Sequence, residues 1–123
     1  MASPIEPASD PRYGAFVEAF NAGRYFEAHE ILEEVWLHYA GPDRRFYQGL
    51  IQVAVAAHHT IQGNLLGAER VAASARRSLA PWLPRHARVD AERLLDRLDR
   101  SVAGEGPPPT IALEPAEGPQ APR

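Results

Sequence analysis

The chain has 123 residues and a mass of 13.5 kDa, which is material for one hydrophobic core and not for two. Its net charge of −3 provides no basic field to hold a phosphate backbone, so we expect no nucleic-acid partner. The chain contains no cysteine, which excludes disulfides, thiol nucleophiles and thiolate ligands, so a metal site would need nitrogen and oxygen donors.

The start of the chain predicts a lead-in followed by a helix. No apolar run reaches the ~18 residues of a membrane span, and the first residues lack the basic and apolar parts of a signal peptide. We therefore expect a cytoplasmic protein without a membrane partner. Three prolines in the first eleven residues predict an extended lead-in over residues 1–9. Asp10 and Pro11 predict the N-cap and first position of a helix, which opens a single helical domain over residues 10–103.

Apolar residues at helical spacing predict two helices before residue 42. The first is about three turns long and ends near Gly23, because glycine commonly follows the end of a helix. The second runs from about Arg24 to Tyr39 and stops at Gly41-Pro42, because proline cannot continue it. The apolar positions are Tyr13, Phe16, Val17 and Phe20 in the first helix and Phe26, Ile31, Leu32, Val35 and Trp36 in the second.

Three further helices and a tail follow. The third helix, roughly residues 43–62 with Asp43 as its cap, is apolar on most sides and so belongs at the centre of a bundle. The fourth begins after Gly63-Asn64 and carries mostly small residues that allow close packing. The fifth is amphipathic between Val89 and Val102. Residues 104–123 hold six of the twelve prolines and predict an extended or disordered tail that does not pack.

An internal similarity indicates how these helices are arranged. The pattern Gly23-x-Tyr25-x-x-Ala28 recurs forty residues later as Gly63-x-Leu65-x-x-Ala68, and each copy opens a helix after a tight turn. The predicted fold class is therefore all-α, a compact bundle of about five helices, built from two stacked helical hairpins and a C-terminal helix with a proline-rich tail.

Two polar stripes mark the helices on either side of the Gly-Pro turn. His29, Glu33 and Trp36 fall within about 60° of one another on the second helix, taking about 100° per residue. Because a short turn joins the second and third helices, we expect them to pack antiparallel with their polar stripes facing each other. The stripe on the third helix comprises Gln48, Gln52 and His59.

One interpretation of the two stripes is a metal-dependent hydrolase acting on a small molecule of unknown identity. Two histidines and a carboxylate suit Zn²⁺, Mn²⁺ or Fe²⁺ with positions open for water, and a bound metal lowers the pKa of that water. The candidate metal ligands are His29, Glu33 and His59. The candidate catalytic carboxylates are Glu33 and Glu30, and the residues expected to shape the cofactor pocket are Trp36, Gln48 and Gln52.

The alternative interpretation is a helical protein without catalysis. Buried polar groups normally satisfy one another, so the same side chains could form a structural network, or a site for a small ligand or a partner, including a second copy of the chain. By default, Glu27, Glu30 and Glu34 form a solvated acidic face. The other assignments are a core position for His58 and surface positions for His38, Tyr39, Arg44 and Arg45, while the position of His86 in a proline-bounded linker is uninformative.

The residues of the second and third helices also resemble a known family. The segment from Tyr25 to Trp36 contains the pattern H-x-x-x-E-x-x-W, and it is followed by Phe46-Tyr47-Gln48-Gly49-Leu50-Ile51-Gln52, His59 and Gly63-Asn64. Over about residues 13–80 the sequence resembles the bacterial and archaeal family called domain of unknown function 309. The resemblance implies a compact helical bundle and a metal-dependent hydrolase activity.

Overall fold

A computed structural model of the protein describes residues 5–115. In that range the chain forms five α-helices, two single turns of 3-10 helix at Pro7–Ser9 and Ala80–Trp82, and one short antiparallel hairpin. The predicted all-α bundle of about five helices is confirmed, whereas the hairpin was not predicted. The elements are α1 (Pro11–Asn21), α2 (Tyr25–Trp36), α3 (Arg44–Ile61), α4 (Leu65–Leu79), β1 (Arg85–His86), β2 (Val89–Asp90) and α5 (Ala91–Val102).

Helix α3 lies at the centre of the bundle and packs against α2, α4 and α5. Half of its residues are buried, as its nearly continuous apolar sequence predicts. No helix within residues 5–115 combines the length and apolar character needed to cross a membrane.

The two copies of the internal repeat end their preceding helices in the same way. Gly23 and Gly63 adopt left-handed φ angles of 82° and 78°. The amide of the residue after each glycine donates to a carbonyl five residues earlier, and the glycine amide donates to a carbonyl three residues earlier. This is a Schellman motif, which glycine favours because it carries no Cβ. The recurrence in the sequence therefore encodes a recurring helix end.

The small residues of α4 let it approach α3 closely. Three alanines of α4 are buried, namely Ala68, Ala72 and Ala75. A Cβ atom built on Gly49 of α3 would lie 2.7 Å from the Leu79 side chain, which is closer than real Cβ contacts allow. The close packing predicted from composition is thus explained by alanine on one helix and glycine on the other.

The segment after α5 packs against the bundle over part of its length. Ile111 is buried. The Asn21 side-chain amide donates to the Ile111 carbonyl, and the Ile111 amide donates to the Asn21 side-chain oxygen, both at 2.7 Å. The prediction of an unpacked tail is therefore wrong for residues 109–114, while residues 116–123 lie outside the described range. The lead-in also differs from a simple extended strand, since Pro7 is buried in a 3-10 turn.

Candidate functional site

His29 is held in one tautomer by its own helix. Its Nδ1 atom lies 3.0 Å from the carbonyl oxygen of Phe26. A carbonyl can only accept, so Nδ1 carries the proton and Nε2 of the neutral ring is left as an acceptor. Nε2 lies 4.0 Å from Oε1 of Glu33, one turn further along α2. His29 therefore presents an unprotonated nitrogen on the side of the helix where Glu33 lies.

His59 is held in the opposite tautomer by a helix cap. Asn64 is the N-cap of α4, and its Oδ1 atom accepts the backbone N–H of Gly67 at 3.1 Å. This places the amide nitrogen of Asn64 3.3 Å from Nδ1 of His59, where it donates a hydrogen bond. The proton of neutral His59 is therefore on Nε2. Of the two predicted histidine ligands, one presents an acceptor and the other a donor.

Both histidines line one cavity between α2 and α3. Its volume is about 310 Å³, and its walls are Phe26, His29, Val55, His58 and His59, which we call the imidazole cavity. The ring centroid of Phe26 lies 5.0 Å from that of His29 and 5.4 Å from that of His58, and 54% of the Phe26 surface is exposed. The core assignment of His58 is wrong, because its side chain is half-buried and faces this cavity.

The remaining residues of the two predicted stripes serve other contacts. The Trp36 indole N–H donates to the Arg44 carbonyl at 3.1 Å, and the Arg44 guanidinium carbon lies 3.8 Å above the indole ring. Trp36 thus stabilises the turn between α2 and α3, and the Arg44 guanidinium packs on the indole ring of Trp36. The Gln52 side chain accepts the Ser78 hydroxyl at 2.8 Å and so faces α4. Gln48 is half-buried on α3.

The predicted ligands do not form a coordination group in this arrangement. Glu33 extends partly into solvent, with 46% of its side chain exposed, and Nδ1 of His59 is engaged by Asn64. Within residues 5–115 no three histidine or acidic side chains are grouped closely enough to hold a metal ion. Glu30 is exposed on α2.

A second polar cluster, which the sequence reasoning missed, surrounds Asp43. This aspartate is 8% exposed, and its carboxylate accepts from the Tyr39 hydroxyl at 2.5 Å and from Nε2 of His86 at 2.7 Å. Asp43 does sit at the start of α3, but its side chain does not cap the helix. The surface assignment of Tyr39 is wrong, because this residue is buried. No local spacing signals the cluster, since His86 lies 43 positions after Asp43.

The hairpin that carries His86 has a strained turn. Ala87 and Arg88 adopt φ angles of 48° and 67°, a region that glycine and asparagine normally occupy. Such conformations are disfavoured by about 1–3 kcal/mol each and persist only where surrounding contacts fix them. Here the Tyr13 hydroxyl donates to the Ala87 carbonyl at 2.8 Å, and Arg88 exchanges hydrogen bonds with the backbone of Glu114. Helix α1 and the C-terminal segment therefore hold the turn.

The fold and these sites define a small helical bundle with an imidazole-lined cavity between its second and third helices. Residues 13–71 match the family model described as Domain of unknown function (DUF309), and this part of the chain belongs to that family. The sequence resemblance is thereby confirmed. The match includes α2, α3 and Asp43 but ends before the hairpin that carries His86.

Two relatives carry no functional name. The Uncharacterized protein YpuF of Bacillus subtilis (strain 168) is 44% identical over 69 residues, which is 54% of this chain and 40% of that protein. An Uncharacterized protein of Aquifex aeolicus (strain VF5) is 45% identical over 47 residues, which is 37% of this chain and 14% of that protein. The chain thus spans less than half the length of either relative.

Proposed function

We propose that the protein is a binding domain whose imidazole cavity receives an apolar side chain from a basic segment of a partner protein. The observation that carries this proposal is the position of Phe26, an exposed phenyl ring at the edge of a cavity whose other walls are imidazoles and a valine. An exposed aromatic ring at the edge of an open cavity is a feature of surfaces that receive a ligand or a partner.

The chemistry of the cavity favours one anchoring side chain. Phe26 and Val55 offer apolar contact, and imidazole rings pack on apolar or aromatic groups through their faces. A cavity of about 310 Å³ has room for one large aliphatic or aromatic side chain, the kind of group that dominates the energy of protein interfaces. His29 and His59 add an acceptor and a donor at the rim, where the backbone of an incoming segment could be bonded.

The charges beside the cavity favour a basic partner. At about 100° per residue, Glu30 and Glu33 lie within about 40° of Phe26 on the helix. Within the described part of the chain, neither carboxylate is paired with an arginine, whereas Glu27 is paired with Arg24. Glu30 and Glu33, on the Phe26 side of α2, are therefore available to an incoming positive charge, which would steer association as well as strengthen it.

The lengths of the relatives support a binding domain. The matched segment makes up 40% of the Bacillus protein and 14% of the Aquifex protein, so the same helices occur within larger chains. A module that binds a partner is useful in such a context because it works independently of what surrounds it.

The proposal is tested with short synthetic peptides rich in arginine and lysine, labelled for fluorescence anisotropy. A peptide with one central leucine or tryptophan should bind, and the same peptide with a central alanine, or with its basic residues replaced by glutamate, should bind about tenfold more weakly or not at all. Phe26→Ala and the double variant Glu30→Gln, Glu33→Gln should each weaken binding about tenfold.

Glu27→Gln is the matched control, because its carboxylate is already paired with Arg24. Equal binding by the peptides with central leucine and central alanine, or unchanged binding by Phe26→Ala, would overturn the proposal. Phe26 is exposed, so its replacement should leave the fold intact, and circular dichroism checks this.

A second candidate function, the metal-dependent hydrolase, is favoured by the tautomer of His29. Metal-binding histidines commonly donate their other ring N–H to a carbonyl, and His29 does so to Phe26. His29 and Glu33 would hold the ion, and His59 would join them only after releasing Asn64. A divalent metal would supply a bound water of lowered pKa.

Metal analysis of protein purified without a histidine tag separates the two candidates. A hydrolase should retain near-stoichiometric metal and gain melting temperature with added Zn²⁺, Mn²⁺ or Fe²⁺, because a ligand of the folded state stabilises it. His29→Ala should then abolish metal uptake, while Phe26→Ala should not. Substoichiometric metal and an unchanged melting temperature with all three ions would overturn this candidate.

A further inference from the structure

Exposed apolar side chains gather at the end of the bundle where α2 and α4 begin. Among the described residues six large apolar side chains are more than half exposed, and four of them lie at this end. The Phe26 ring lies 5.4 Å from that of His58, and the Asn64 amide bonds His59 just before α4. The start of α4 is therefore close to the imidazole cavity. The four residues are Phe26, Ile61, Leu65 and Leu66, an apolar group of the kind that marks an interaction surface.

The exposed side of α4 has the chemistry that the imidazole cavity is proposed to receive. Leu66 is 59% exposed, and Arg70 follows it by about one helical turn. At about 100° per residue, Leu66, Arg70 and Arg77 lie within about 40° of one another. Both arginines are exposed, and within residues 5–115 neither forms an ion pair, whereas Arg76 is paired with Asp99. Helix α4 therefore presents an apolar side chain together with two open positive charges.

The repeat of forty residues places opposite charges at equivalent positions of α2 and α4. Glu30 follows Phe26 by four residues, just as Arg70 follows Leu66. The two helices run in the same direction and begin at the same end, because a short turn joins each of them to α3. A two-fold axis parallel to the helices would therefore set α2 of one copy beside α4 of the other, with Phe26 level with Leu66 and Glu30 level with Arg70. The axis repeats this contact, so the same pairs meet twice.

Charge also selects this pairing over the other ways of joining the two faces. If α2 packed on α2 of a second copy, Glu30 and Glu33 would meet their own counterparts, and α4 on α4 would bring arginines together. Both arrangements place like charges against each other, which disfavours them. In the pairing of α2 with α4, Glu33 lies level with Ala73, a small residue with Arg70 before it and Arg77 after it. Each carboxylate then has a guanidinium within about one turn.

We propose that the segment received by the imidazole cavity is α4 of a second copy of this chain, with Leu66 in the cavity and Arg70 against Glu30. This inference rests on the proposed function, since it names the partner of the same site. The cavity volume of about 310 Å³ accommodates a leucine side chain. The resulting dimer would bury Leu66 and Phe26 of both copies and pair carboxylates and arginines that are unpaired within the single chain.

The first experiment is sedimentation velocity of the full chain up to about 1 mM, where even weak association is populated. We expect dimers that dissociate at high salt, because exposed charge pairs are screened. Leu66→Ala and Arg70→Glu should each weaken association about tenfold. The matched control is Arg93→Glu, which removes an exposed arginine of α5 and should leave association unchanged. Leu66 and Arg70 are exposed, so these variants should fold, and circular dichroism checks this.

A charge exchange tests the pairing itself. The Arg70→Glu chain and a Glu30→Arg chain should each dimerise poorly alone, because both contacts of the dimer then join like charges. A mixture of the two chains should form a mixed dimer, in which one contact is that of the natural protein and the other has its charges exchanged. Native mass spectrometry identifies the mixed dimer by its mass. Absence of the mixed dimer would overturn the pairing of α2 with α4.

The peptide assay distinguishes failure of this inference from failure of the proposed function. Leu66→Ala should lose self-association yet still bind the basic peptide with a central leucine, because its own cavity is intact, whereas Phe26→Ala should lose both. A natural chain that stays monomeric up to about 1 mM but binds the peptide would overturn this inference alone. Self-association that neither Leu66→Ala nor Arg70→Glu weakens would also overturn it. Failure of the Leu66→Ala chain to bind the peptide would overturn the proposed function.

Discussion

The imidazole of His86 donates to the carboxylate of Asp43 at 2.7 Å across 43 positions of sequence. This contact joins the β-hairpin to the start of the central helix, and Tyr39 completes it from the turn before that helix. Asp43 is buried, and its two side-chain oxygens each accept one of these hydrogen bonds, so the turn and the hairpin together satisfy the buried group. The hairpin is therefore a structural part of the bundle.

Removing one donor from Asp43 should destabilise the protein strongly. His86→Ala leaves a buried carboxylate with Tyr39 as its remaining partner, and we expect a loss of about 2–3 kcal/mol in the free energy of unfolding. Urea denaturation measures this value. His38→Ala is the matched control, because His38 is exposed, and it should change stability by less than about 0.5 kcal/mol. Equal effects of the two substitutions would contradict the structural role of His86.

Gly49 and Gly14 should respond in opposite directions to the same substitution. A Cβ at Gly49 would lie 2.7 Å from two atoms of the buried Leu79 side chain, so Gly49→Ala should destabilise the protein by about 1–3 kcal/mol through overpacking. Gly14 lies inside α1 with nothing within 4 Å of its Cβ position, so Gly14→Ala should stabilise by about 0.5–1 kcal/mol. Thermal and urea unfolding of both variants provide the comparison.

The Asn21 side chain should hold the C-terminal segment in place. Asn21→Ala removes both hydrogen bonds to the Ile111 backbone, and we expect a loss of about 1–2 kcal/mol. Hydrogen exchange at the Ile111 amide should accelerate more than exchange within α3, because the segment is released before the bundle unfolds. Glu105→Ala, at an exposed position before the segment, should leave that exchange rate unchanged.

The tyrosines should make the protein unstable at alkaline pH. Burial is the main cause that raises the pKa of all four, and for Tyr13, Tyr39 and Tyr47 the rise is large. Unfolded tyrosines ionise near pH 10, so above that pH the unfolded state loses protons that the folded state retains. Their contribution to stability is complete below about pH 10 and declines as the pH rises further.

Phenolate absorbance during an alkaline titration tests this expectation. The phenols should ionise at a pH above about 10, and their ionisation should coincide with the loss of the helical circular dichroism signal. Tyr47→Phe removes one of the retained protons and should reduce the slope of stability against pH by about 1.4 kcal/mol per pH unit. Gradual ionisation near pH 10 with the fold intact would contradict the burial of these side chains.

The helices were predictable from sequence because their signals are local. Apolar spacing, Gly23, Gly63 and the Gly-Pro turn each act within a few residues, and the repeat of forty residues corresponds to a repeated helix end. The placement of His29 and His59 on one cavity follows from the same logic, since the short turn brings α2 against α3.

The contacts that sequence reasoning missed are those between distant segments. His86 seemed uninformative because its partner Asp43 is far along the chain, and Asp43 resembled an ordinary helix cap. Residues 104–123 seemed too rich in proline to pack, yet within them the backbone carbonyls of Ile111 and Glu114 accept hydrogen bonds from the side chains of Asn21 and Arg88. Helical periodicity predicts which face of a helix is polar, but it does not predict which neighbouring element a long side chain will contact. For this reason the hydrogen bonds of Gln52 with Ser78 of α4 and of Trp36 with the Arg44 carbonyl were not predicted.

His29→Ala measures how far the polar stripe supports the fold. If Glu33 were buried in a structural network, this substitution would strongly lower the free energy of unfolding. The Glu33 side chain is 46% exposed, however, so water can solvate it when the imidazole is removed. The lost bond from His29 to Phe26 lies within one turn of α2, so we expect a loss of less than about 1 kcal/mol. His86→Ala, with its buried carboxylate partner, should be clearly more destabilising in the same urea experiment. If His29→Ala instead destabilised the metal-free protein as much as His86→Ala, the imidazole cavity would be a structural element of the bundle, and its openness to a partner would no longer follow.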